Sequence, residues 1–270
     1  MMYAILFFVF SAVMAGEVPP TATDAKIRQV RGPHQVYSAK ATSAKTLITI
    51  GGTNSHPADF KNVHMWAVER GYRVIGLDYE NEVISTLCQT STDRTCFDNY
   101  RSEIVFGQAV SPLVKVNESN SIAHRLLKLF LHLRWTIDWQ DVVLVGHSQG
   151  AGHVAFLAKH FEVHKVIMTG GPHDYYPGHG PADWTLESSA TDPRDFYAFL
   201  HEKDFFGTET QLGSARVLTG ELNGEVVKIY DDIPVHSRGQ IFISNFPFQD
   251  PHNSFTSDVF RKVWEFLLQE

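Results

Sequence analysis

Asp141-Val142-Val143-Leu144-Val145-Gly146-His147-Ser148-Gln149-Gly150 decides how the rest of this chain is read. Its first five residues, four of them apolar and three β-branched, spell a buried strand. The next five place a serine at the centre of a turn built largely from small residues, and Ala151 to His160 continue as an amphipathic helix. Strand, glycine-flanked serine and helix, in that order, are the setting in which a hydroxyl is lifted onto a sharp turn at the end of a sheet.

Outward from that turn, short apolar β-branched runs alternate with helix-like stretches from Lys45 onward, with no internal repeat or low-complexity tract. Thr46–Ile50, Tyr72–Leu77, Lys165–Thr169, Phe196–Leu200 and Gln240–Ser244 read as further strands. Asp59–Arg70, Ser121–Trp135 and about Thr256–Leu268 read as helices, with Gly71 placed where a helix stops. The alternation predicts an α/β fold, with a predominantly parallel central sheet flanked by helices. Ligands of such sheets bind beyond the carboxyl ends of the strands. Two long segments, 80–120 and 170–195, are placed to act as rim or lid loops there. The chain divides into a signal peptide (1–15), an N-terminal segment (16–44) and one domain (45–270), a size that buries roughly three quarters of the unfolded surface.

Composition narrows the partners. A net charge of −7 without a basic cluster excludes a phosphate-backbone binder, so no nucleic acid is expected. Tyr3 to Met14 form a short apolar run, and Val13-Met14-Ala15 suits cleavage after Ala15, as in a secretory signal peptide, although no lysine or arginine precedes the run. The run is shorter than the ~20 residues a bilayer span needs, and no later segment is apolar enough, so no stable membrane insertion is expected. Cys88 and Cys96, the two cysteines, read as one local disulfide in an exported protein; two unrelated thiols are the alternative. They lack partners at metal-ligand spacing, and no metal is expected. Asn117-Glu118-Ser119 is a glycosylation acceptor pattern.

Taken with the ordered strands, Gly146-His147-Ser148-Gln149-Gly150 resembles the α/β-hydrolase superfamily, and in particular its serine esterases and lipases, over most of the chain from Lys45. The resemblance implies a triad in the chain order serine, acid, histidine, each at the end of a strand, and no cofactor. Ser148 is the nucleophile it implies. Asp204, just past Phe196–Leu200, is the acid of choice, with Asp174 and then Glu202 as alternatives. His252, between the last strand and the last helix, is the base of choice, with His236 as runner-up. The neighbouring His147 and His153 are expected to point into packing or solvent rather than react. By the same resemblance the oxyanion donors are the backbone N–H groups of Gln149 and of Thr53 or Gly52, in the Gly51-Gly52-Thr53-Asn54 loop. The expected activity is hydrolysis of a carboxylic ester by a secreted serine hydrolase acting on a small-molecule or acyl-ester substrate. Acyl transfer, peptide cleavage and a non-catalytic binding protein of the same fold are the alternatives. No oligomeric state is implied.

Overall fold

The computed structural model describes residues 14–38, 45–229 and 239–269. In chain order the elements are β1 (Met14–Val18), α1 (Pro20–Thr23), β2 (His34–Ser38), β3 (Thr46–Ile50), α2 (Lys61–Glu69), β4 (Arg73–Leu77), α3 (Cys96–Phe106), α4 (Ile122–Leu133), β5 (Val142–His147), α5 (Gln149–His160) and β6 (Lys165–Thr169). They continue as β7 (Tyr175–Tyr176), β8 (Gly180–Pro181), α6 (Asp183–Leu186), β9 (Phe196–His201), α7 (Thr208–Thr219), β10 (Val226–Ile229), β11 (Ile241–Ser244) and α8 (Arg261–Leu267).

Nine strands form one sheet in the order β1-β2-β4-β3-β5-β6-β9-β11-β10, and β7 pairs with β8 in a small separate ribbon. The pairs β1/β2 and β2/β4 are antiparallel; every other pair in the large sheet is parallel. The central strands are apolar in consecutive residues because both faces are covered. Ile48 and Leu144 pack on one face with Ile104, Leu126, Leu129 and Val154 from α3, α4 and α5. Leu47, Val143 and Val145 point the other way, onto Val63, Trp66, Val263 and Trp264 of α2 and α8. Each such side chain, fully buried, stabilises the fold by about 1.5–3 kcal/mol.

Several boundaries differ from the sequence reading for local reasons. Ser121 lies outside α4 as its N-cap, accepting the His124 N–H at 3.2 Å. The stretch read as Asp59–Arg70 begins with a tighter turn, Pro57–Phe60, and Gly71, with φ of 85°, follows where the helix stops. The sheet also extends back beyond Lys45: β2 pairs with β4, and β1 covers β2. Segment 80–120 holds α3, a six-residue tight helix, Ser85–Thr90, and the turn Glu118–Asn120, and segment 170–195 holds the β7/β8 ribbon and α6. Cys88 and Cys96 are bonded, with their Cα atoms 5.4 Å apart, and tie the start of α3 to the turn before it. Asn117 is exposed, and its side-chain oxygen caps the turn Glu118–Asn120. Among the described residues no helix is long and apolar enough to cross a membrane.

Candidate active site

The parallel strands β3, β5, β6, β9 and β11 end on one side of the sheet, and the candidate residues leave from those ends. Ser148 follows β5 with φ 56° and ψ −122°, a left-handed backbone that a serine adopts only when its surroundings force it. The flanking glycines permit the turn. A Cβ on Gly146 would strike the Gly150 backbone and come within 2.6 Å of the Ala151 Cα, and a Cβ on Gly150 would strike the carbonyls of Ile50 and Gly51. The Ser148 N–H donates to the Thr169 carbonyl at 2.9 Å, fastening the turn to β6.

Asp204 comes three residues after β9 and His252 lies between β11 and α8, 48 residues apart in sequence. Space brings them together. His252 Nδ1 lies 2.7 Å from Asp204 Oδ2, and His252 Nε2 lies 2.9 Å from Ser148 Oγ. Burial acts to raise the Asp204 carboxyl, but the His252 hydrogen bond and charge and the Phe206 N–H outweigh it and hold the group below the ordinary carboxylate value. An ionised carboxylate only accepts, so Nδ1 of His252 carries the proton and Nε2 is left to accept from the Ser148 hydroxyl.

The alternatives lie elsewhere. Asp174 is fully buried in a bidentate ion pair with Arg101 and accepts the Trp184 indole N–H at 2.9 Å. Glu202 pairs with Lys228 at 2.6 Å. His236 lies outside the described residues. His153 is buried beside Arg101 and Tyr100, as a packing residue. His147 is buried next to the site, its ring centroid 4.8 Å from that of His252. Its Nδ1 is 3.2 Å from the Thr169 carbonyl, and burial, then the nearby His252, pushes it down to about 4.

Gly52 and Thr53 leave β3 directly beside the serine; a Cβ on Gly52 would lie 2.8 Å from Ser148 Cβ. Tyr79 and Asn81, beyond β4, hold this loop by donating to the Gly51 and Gly52 carbonyls at 2.7 and 2.9 Å. Gln149 begins α5, and the first N–H groups of a helix have no carbonyl partner within it. Eight residues line a cavity of about 210 Å³ around Ser148: Gly52, Thr53, His147, Ser148, Phe205, Phe206, His252 and Asn253. None comes from 80–120 or 170–195. Within segment 170–195, Tyr176 and Trp184 are buried in packing contacts with Phe97 and Phe156.

Sequence reasoning missed Phe205 and Phe206, whose rings sit 5.2 and 4.7 Å from His252, and the first of which is 65% exposed at the mouth. Their position directly after Asp204 was the available signal. It also missed the contacts of Tyr100 and Arg101 with Gln149, which no local pattern encodes.

No family model matches the sequence, and no curated protein matches it. Solved structures do share the architecture. The S-formylglutathione hydrolase of Staphylococcus aureus aligns over 96% of this chain and 99% of its own, with 10% identity and a TM-score of 0.56. Carboxyl esterase 2 of the fungus Tuber melanosporum aligns over 96% and 88%, with 9% identity and a TM-score of 0.55. A ferulic acid esterase aligns over 95% and 97%, with 10% identity and a TM-score of 0.54. At such identities the shared property is the fold.

Proposed function

The chain has the α/β-hydrolase fold, and on that premise we propose that it is a secreted serine hydrolase that cleaves a small carboxylic ester. The observation that carries this reading is the single imidazole joining two partners, His252, at 2.9 Å from Ser148 Oγ and 2.7 Å from Asp204 Oδ2. A serine hydroxyl is a weak nucleophile until a base takes its proton, and that base needs a carboxylate to fix its tautomer.

In this mechanism Ser148 Oγ attacks the ester carbonyl carbon as His252 Nε2 takes the hydroxyl proton. The carbonyl oxygen becomes an oxyanion, held by the backbone N–H groups of Gln149 and of Thr53 or Gly52. Each such donor contributes roughly 3–4 kcal/mol to the transition state. The intermediate collapses, the C–O bond to the alcohol breaks, and the leaving oxygen takes the proton from His252. Water, deprotonated by the same nitrogen, then attacks the acyl-enzyme; the carboxylic acid leaves and Ser148 regains its proton. Asp204 stays ionised throughout, orienting His252 and stabilising its charged form. The 210 Å³ cavity, below the ~300–1,000 Å³ of ordinary ligand pockets, supports a small substrate.

Labelling with a fluorophosphonate probe tests the reading. The folded protein should be labelled at Ser148, and Ser148→Ala should not; equal labelling of both would overturn it. A panel of p-nitrophenyl esters of increasing chain length then tests the bond and the size, with short acyl groups turned over fastest. The Cys88–Cys96 bond supports the exported setting, since disulfides persist in oxidising compartments. Export is tested by N-terminal sequencing of protein from the culture medium, which should begin at Gly16.

A further inference from the structure

Gln149 is more heavily tethered than a residue supplying only a backbone N–H requires. Its side-chain oxygen accepts from Thr53 Oγ1 at 3.0 Å and lies 3.0 Å from the Tyr100 hydroxyl, whose single proton it shares with the Val83 carbonyl at 2.6 Å from that hydroxyl. Its amide nitrogen donates to the Tyr79 hydroxyl and to the Asn81 carbonyl, each at 3.3 Å. Its backbone carbonyl accepts from Arg101 Nη1 at 2.7 Å. One side chain thus joins the two backbone segments that flank Ser148, the Gly52–Thr53 loop and the first turn of α5.

Arg101 occupies an odd place for a cation. It lies fully buried against the N-terminal turn of α5, the end at which a helix dipole disfavours positive charge. Burial acts against its charge, but the Asp174 carboxylate more than offsets this by taking Nε at 2.9 Å and Nη2 at 2.5 Å. Gly152 makes the room, since a Cβ there would land on the guanidinium. With Asp174 satisfying one edge, the remaining nitrogen is committed to the Gln149 carbonyl and the nearby His153 Nδ1.

We propose that Tyr100 and Arg101 are positioning residues for the chemistry at Ser148: from α3 they lock Gln149, and through its side chain they fix the spacing between its own N–H and the Thr53 loop. Neither lines the cavity, so both act through Gln149. The inference rests on the reading of Ser148 as nucleophile and of these N–H groups as oxyanion donors. Donor placement matters on the scale of an ångström, where a misplacement lowers rate about a hundredfold. Segment 80–120 is on this view a brace beneath the reacting centre rather than a cover above it.

The test is a double-mutant cycle on kcat and KM with p-nitrophenyl acetate, using Tyr100→Phe, Gln149→Met and the pair. Tyr100→Phe should lower kcat about tenfold and leave KM within about twofold, because the donors act on the transition state rather than on the bound ester. Adding Tyr100→Phe to Gln149→Met should lower kcat by clearly less than the tenfold seen alone, since the hydroxyl would have lost its tie to Gln149 and kept only the Val83 carbonyl. Arg101→Lys, which cannot serve Asp174 and the Gln149 carbonyl together, should lower kcat by about tenfold to a hundredfold, again without a matching change in KM. Should Gln149→Met not fold, Thr53→Val takes its place in the cycle, because its hydroxyl shares the same acceptor. Wild-type kcat in Tyr100→Phe, or effects of the two substitutions that multiply in full, would overturn the proposal. Fluorophosphonate labelling of the wild type separates the two failures: an unlabelled wild type refutes the hydrolase reading, whereas a labelled one with an indifferent Tyr100→Phe refutes only the brace.

Discussion

Lowering the pH from 7 to 5 should destabilise this protein through histidines that the fold holds neutral. Burial pushes His34 and His64 down to about 3 and His147 and His173 to about 4; His153 is pushed well below its usual value by burial and then by Arg101. His34 Nδ1 already accepts the Asp78 N–H at 2.9 Å, a bond that protonation there would break. Each folded value lies below the free imidazole value of about 6.5, so the unfolded chain binds these protons first as pH falls. The stability that follows from neutral burial is therefore complete above about pH 6.5 and is lost as pH drops toward the folded values. Between pH 7 and 5 the loss is about 2 kcal/mol for each of the four histidines with a value of about 3 or 4, and His153 adds to it.

Carboxyls that burial raises, Asp78 foremost, oppose this trend. Burial raises Asp78 to about 6 despite Arg125, so the folded protein takes that proton before the unfolded chain does and gains about 1 kcal/mol over the same interval. Asp98, also raised to about 6 by burial, is only half shielded from water and adds less. The net expectation is a loss of more than about 6 kcal/mol, comparable to the 5–15 kcal/mol by which whole domains are stable. Urea denaturation at pH 7, 6 and 5 measures it, read from midpoints at constant slope. His64→Gln should recover about 2 kcal/mol of the loss, since its ring is one of the proton acceptors. A change below about 2 kcal/mol in the wild type, or an unaltered pH dependence in His64→Gln, would refute the reasoning.

Asp204→Asn should keep the fold and lower kcat by about four orders of magnitude, by presenting His252 in the wrong tautomer; loss of less than about tenfold in ester turnover would count against its role. Gly152→Ala should destabilise the protein by about 1–3 kcal/mol, because the buried guanidinium of Arg101 is held by Asp174 and has no room to retreat; a melting temperature within about a degree of wild type would contradict this. Cys88→Ser with Cys96→Ser should cost about 2–3 kcal/mol in chemical denaturation and lower kcat through α3, while leaving acyl chain-length preference unchanged. A shift in chain-length preference would return segment 80–120 to the role of an access loop.

The sheet was legible wherever local pattern and burial agree. Thr46–Ile50 and Lys165–Thr169 are read to the residue, because a strand covered on both faces writes a short run dominated by apolar and β-branched residues. The N-terminal strands β1, at the edge, and β2, beside it, escaped because they lack that signature: His34-Gln35-Val36-Tyr37-Ser38 carries two apolar residues and is held by pairing with β1 and β4. The short strand β10, four residues at the opposite edge, escaped for the same reason. At the site, Ser148 stood out by its glycines, and Asp204 and His252 by following strands. Tyr100, Arg101 and the ties of Gln149 did not stand out, since their meaning lies in contacts between residues about 48 positions apart. Even Asp174 looked much like Asp204 in sequence; only the buried arginine facing it separates the two.

Strand β11 is inserted between β9 and β10 rather than added at an edge, and His252 follows it. Ser148 and its imidazole partner are 104 residues apart in sequence, so a chain emerging from the ribosome carries the serine long before it carries the base. On the proposed mechanism, the hydroxyl at the elbow would be chemically idle during synthesis and folding of the first half of the sheet, and would become a nucleophile only when the final strand closes between its neighbours. Because such distant pairings form late, recovery of ester turnover in refolding should trail the recovery of helical signal. The enzyme would then be its own clock: product formation would time the last step of assembly.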